Sequence, residues 1–92
     1  RKIELTIQKE ISKGQYSNLA LSNFSKDEFI LDFALIQPHN NKADINSRVI
    51  LSPRNAKNLL TVLQKNIEDY EKKWGPISDT PPKTGGISMS FN

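Results

Sequence analysis

The sequence predicts an α+β fold: a four-stranded, mainly antiparallel sheet packed by one long C-terminal helix and followed by an extended tail rich in Pro, Gly and Ser. Three observations predict it. Apolar residues recur at period two in runs before residue 52, they change to a 4-3 spacing after it, and the change falls at Ser52-Pro53. Ninety-two residues make one domain at most, with a thin core, because a chain this small buries only about 60% of the surface its unfolded form exposes. The folded unit is expected over residues 1–75 and the tail over 76–92.

Taken in order, Ile3, Leu5 and Ile7 alternate with Glu4, Thr6 and Gln8, a half-buried strand expected to run to Ile11 and to break at Ser12-Lys13-Gly14. A second strand is expected from Tyr16 to Phe24, with turn residues Ser25-Lys26-Asp27-Glu28 leading into a third, so the two form an antiparallel hairpin. The third run, Phe29 to Ile36, is apolar on both faces and reads as a central strand. A loop at Gln37–Asn41 precedes a fourth strand from Ala43 to Leu51, with Ile45, Val49 and Leu51 expected on its buried side. Ser52 is a preferred N-cap, and Pro53 at the first helical position loses nothing by lacking an N–H. Ala56, Leu60, Leu63, Ile67, Tyr70 and Trp74 then form an apolar stripe widened by Leu59, and Gly75-Pro76 stops the helix. Glu68 with Lys72, and Asp69 with Lys73, are acid-before-base pairs expected on its wet side. The stripe reads as the face that covers the sheet. A coiled-coil seam is the alternative, although nineteen residues fall short of three or four heptads.

Thirteen Lys and Arg against ten Asp and Glu give a net charge of +3 spread along the chain, which is ordinary solubility and no nucleic-acid footprint. There is no cysteine, hence no disulfide and no thiolate metal site, which fits a reducing compartment; cytoplasm is the expected location. No run of about 18 apolar residues exists, and no membrane association is expected.

The search for catalytic groups is nearly empty, and neither enzyme activity nor a cofactor or metal is expected. His39 is the single histidine and reads as a loop residue. Asp32 is the one acid inside an apolar strand, read as a solvated or interface carboxylate. Arg48, Arg54 and Lys57 cluster near the helix start, a small basic patch suited to an anion, an acidic partner or a nucleic-acid backbone. Pro53 and the lack of glycine between Gly14 and Gly75 argue against a phosphate cradle there. On the third strand Ile30, Asp32, Ala34 and Ile36 share the face turned from the helix and, with Ala20 and Phe24, are expected to form an apolar patch that demands a partner. In the tail, Ile87, Met89 and Phe91 alternate with serines and are expected to dock as an edge strand or into a partner's groove.

Several stretches together resemble a known family: "YSNLALSNFSKDEFILDFALIQP", "ADIN", and "RVILSPRNAKNLLTVLQKNIEDYEKKWG". The marks are an Asn-Leu strand, Glu28-Phe29 leading into a strand with Asp32-Phe33, an Arg-Val-x-Leu-Ser-Pro junction at Arg48 to Pro53, and a helix ending in an aromatic and a glycine. Over residues 16 to 76 the chain is similar to the bacterial and archaeal family termed domain of unknown function 3467. The resemblance implies no catalytic residue. It implies an accessory role in transcription, because in some bacterial lineages the family's genes lie beside those for the large RNA polymerase subunits. The expected function is therefore a small accessory protein bound to a larger assembly such as RNA polymerase. A nucleic-acid-binding module using the basic patch and a homodimeric structural protein are the alternatives.

Overall fold

The computed structural model of this chain describes residues 2–78 and 88–91. It is α+β, with three antiparallel strands followed by a long helix. The strands are β1 (Leu19–Phe24), β2 (Phe29–Gln37) and β3 (Lys42–Leu51), and β2 lies between the other two. A short helix, α1 (Lys9–Ser12), precedes them and the long helix, α2 (Pro53–Trp74), follows. Ser88–Phe91, β4, runs parallel beside β1.

Both hairpins form where turn chemistry places them. Ser25 N donates to Glu28 O at 2.9 Å across the first turn. In the second, Asn40 N donates to Gln37 O, and Asn41 takes a left-handed φ of 50° that asparagine tolerates better than most residues. Asn18 extends the β1–β2 ladder past its backbone end: its N–H donates to Ala34 O at 3.1 Å and its Oδ1 accepts from Ile36 N at 2.8 Å.

The expected first strand is not a strand. Residues 2–8 join no strand ladder, and Lys9–Ser12 turn into α1, which ends where Gly14 takes a φ of 72° and donates to Ile11 O. Alternation of Ile3, Leu5 and Ile7 suits a strand, but a strand also needs a neighbouring edge, and Leu5 stays 91% exposed. The antiparallel sheet accordingly has three strands, not four.

A second correction comes from a bulge. Phe33 pairs with Ser47 while Ala34 pairs with Ile45, so Asn46 is the extra residue on β3. Val49 and Leu51 lie on the face of Leu31 and Phe29, as expected, but the bulge moves Ile45 to the face of Ala34. An inserted residue in a period-2 element exchanges the faces beyond it.

Helix α2 starts and stops at the expected residues. Ser52 Oγ accepts from Asn55 N at 3.2 Å, and Gly75, with φ 99°, donates its N–H to Glu71 O at 2.9 Å. The expected Asp69–Lys73 pair does not form: Asp69 accepts from Lys65 Nζ at 2.9 Å, one turn earlier, and Lys73 Nζ sits 5.2 Å from the centre of the Trp74 ring. The helix approaches the sheet at β3, the strand it follows, and none of its side chains is buried. Leu60, Leu63, Tyr70 and Trp74 are 63%, 51%, 51% and 67% exposed. Ala34 is the only fully buried apolar residue among the described residues.

The cap generates a stability prediction. Ser52→Ala is expected to cost about 1 kcal/mol in urea unfolding at fixed chain concentration, because the Asn55 N–H loses its acceptor. An unchanged midpoint would show that the cap contributes nothing.

Candidate interaction surface

In β2, Phe29, Leu31, Phe33 and Leu35 project to one face and Ile30, Asp32, Ala34 and Ile36 to the other. Helix α2 leaves β3 over the first of these faces without closing on it. Between them lies an open groove of about 770 Å³, floored by Phe29, Leu31 and Phe33 and walled by Ala56, Leu60 and Leu63, with Lys57 among its lining residues. At one end the Phe24 and Phe29 rings stack with centroids 5.6 Å apart. A hollow of about 520 Å³ lies by α1, lined by Glu10, Ile11, Phe33, Asn46 and Ser47 among others.

The opposite face carries one ion pair. Asp32 and Arg48 are directly opposed on β2 and β3, and the guanidinium grips the carboxylate with both prongs: Nε to Oδ1 at 2.7 Å and Nη2 to Oδ2 at 2.9 Å. Asp32, expected to be a solvated or interface carboxylate, is not solvated in the single chain, where it is only 7% exposed. The Arg48 hydrogen bonds hold its carboxyl below the usual range, burial opposes them, and attraction to the Arg48 charge adds to the lowering. An acid held ionised by a two-pronged guanidinium is a cross-strand clasp and is not poised as a general acid.

The basic cluster read from the sequence is not brought together. Arg48 is committed to Asp32 on one sheet face, whereas Lys57 lines the groove on the other, and Arg54 follows in the first turn of α2. The expected apolar patch is also divided. Ala20 and Phe24 pair with Phe33 and Phe29, which places them on the groove side, away from Ile30, Ala34 and Ile36. Ala34 is fully buried, and Ile30 and Ile36 are half-buried. Of the tail residues, Met89 and Phe91 fall in β4 opposite Leu21 and Asn23, and Ile87 lies outside the described residues.

His39 sits in the exposed β2–β3 turn. Among the described residues no group of three His, Asp or Glu is placed to hold a metal ion, and no helix is long and apolar enough to cross a membrane. The surface that sequence reasoning underrated is α2 itself. Leu60, Leu63, Ile67, Tyr70 and Trp74 were read as core cover, yet each stays 40% or more exposed, with Leu60 and Leu63 on the wall of the open groove and no side chain of α2 buried.

The clasp predicts a pH dependence. Asp32 has a folded pKa below its ordinary 3.8, so its stabilising share is complete above that value and is lost as pH falls through the depressed one. Thermal midpoints of Asp32→Asn should therefore vary less with pH in the acid range than those of the wild type. Arg48→Met leaves the carboxylate without its counter-ion, so its deficit should be largest at neutral pH and shrink as acid neutralises Asp32. Parallel pH profiles for all three proteins would contradict the clasp.

Comparison with known proteins agrees with the resemblance read from the motifs and extends it. The family pattern matches residues 1–79, which brings in the N-terminal segment before residue 16. No curated protein and no solved structure matches the chain significantly. Built as three antiparallel strands with a Ser-Pro junction and a long helix that buries none of its side chains, the chain belongs to the family described as Protein of unknown function (DUF3467).

Proposed function

We propose that this chain is a non-enzymatic protein-interaction module that supplies part of an apolar core and takes the rest from a partner. The observation that carries the reading is α2, a helix of 22 residues with no buried side chain, whose apolar stripe stands beside an open groove. The exposure of the stripe supports it: Leu60, Leu63, Ile67, Tyr70 and Trp74 each keep 40% or more of their surface in water, and a run of exposed apolar residues on one helix face marks an interaction site.

The place of action is the cytoplasm in this reading, supported by the absence of cysteine. A transcription assembly containing RNA polymerase is the larger complex that the family resemblance suggests. The basic residues do not favour a nucleic-acid reading, since Arg48 is engaged by Asp32 and is turned from Lys57.

Affinity capture from the native cell tests the proposal, using tagged wild type beside Tyr70→Ser/Trp74→Ser. The wild type is expected to retain at least one protein, another copy or a different chain, that the variant loses. Polymerase subunits within that difference would place the module in transcription. Identical retained sets for the two baits would overturn the reading.

A further inference from the structure

We infer that the partner lying along α2 is a second copy of this chain, with the two α2 helices packed antiparallel about a twofold axis at Lys65. This rests on α2 being an interaction surface and names its occupant.

The stripe is self-complementary. Its gaps of 4, 3, 4, 3 and 4 read the same in both directions, so an antiparallel copy centred on Lys65 sets Ala56 against Trp74, Leu60 against Tyr70, and Leu63 against Ile67. The smallest seam residue meets the largest, and the three distinct layers, each present twice about the axis, fill evenly. A parallel pairing would stack Trp74 on Trp74 and Ala56 on Ala56, leaving one end overfilled and the other hollow.

The flanking positions agree with the same axis. On one side Lys57 of each copy falls near Glu71 of the other, giving two opposite-charge pairs, and Gln64 meets Gln64. On the other side Asn66 meets Asn66, and Leu59 lies under the Lys73 stem of the second copy. A parallel pair would instead place Asn66 near Glu71 and Leu59 near Gln64, with no charge pair. Lys65 itself points away from the seam, where Asp69 already holds it.

The groove fits this arrangement. Its wall is the first half of α2, from Ala56 to Leu63, and an antiparallel copy lays its second half there. Tyr70 and Trp74 of the second copy thereby reach the space over Leu31 and Phe33. Tyr and Trp side chains bury about 150–250 Å² each when wholly covered, and with the half-exposed aliphatic residues the stripe removes roughly 600 Å² per chain, the lower end of the ~600–1,000 Å² per partner of a stable interface. Under three heptads make a weak coiled coil alone; with the sheet as floor they close a core.

Sedimentation or light scattering on the full chain at about 10 µM should report twice the chain mass. Lys57→Glu should weaken self-association at least tenfold, and adding Glu71→Lys to it should restore it. In this cysteine-free chain, Gln64→Cys should join two copies through a short thiol crosslinker, and Lys65→Cys, on the far side, should not. A monomeric wild type overturns the inference, as does equal crosslinking at 64 and 65 or a double variant no better than Lys57→Glu. Trp74, the single tryptophan, separates this failure from that of the underlying reading. A monomer with freely quenched Trp74 emission rejects self-pairing and leaves α2 open to another protein, whereas a monomer with shielded Trp74 rejects both.

Discussion

The constraint on which this structure depends is the burial of β2. It is the central strand, paired on both edges, and apolar side chains leave it on both faces. A strand of that composition is stable only when each face is shielded from water. On one face Ala34 and Asp32 reach near-complete burial. On the other, Phe29, Leu31 and Phe33 floor an open groove, and the helix that should roof it stands off. Everything proposed for this protein follows from that unequal cover.

Two local devices organise the remainder. Ser52-Pro53 turns the chain from strand to helix in a single step, capped by Ser52 and pre-set by the proline ring, so the helix begins directly at the end of β3. At this junction Arg48 is engaged by Asp32 on the face away from Lys57. Asp32 and Arg48 clasp β2 to β3 from the opposite face. A one-residue slip would separate the pair and leave a carboxylate in apolar surroundings, so the clasp opposes misregister as well as strand separation.

Beyond the bulge at Asn46 the faces of β3 exchange, which places Ile45 with Ala34 and leaves Ser47 beside Phe33 on the groove side. Alternation predicted Ile45, Val49 and Leu51 on one side and was right only for Val49 and Leu51, which follow the bulge in the chain. The N-terminal segment shows the same limit. Ile3, Leu5 and Ile7 have the periodicity of a strand, but the hydrogen bonds of a strand belong to its neighbour, and the described chain offers this segment none.

The sequence by itself determined the elements whose causes are local. Turn residues, the Ser-Pro step, the Trp-Gly stop and the two-faced pattern of Phe29 to Ile36 define both hairpins and α2 to within a few residues, because capping, φ preference and periodicity act over a turn or two. The family was legible on the same motifs. Tertiary structure alone decided which residues meet. Register opposed Asp32 to Arg48 and moved Ala20 and Phe24 to the groove face, and the trajectory of α2 left an expected core stripe largely exposed. Pairing and packing join residues far apart in the chain, and no local preference of either partner records the distance between them.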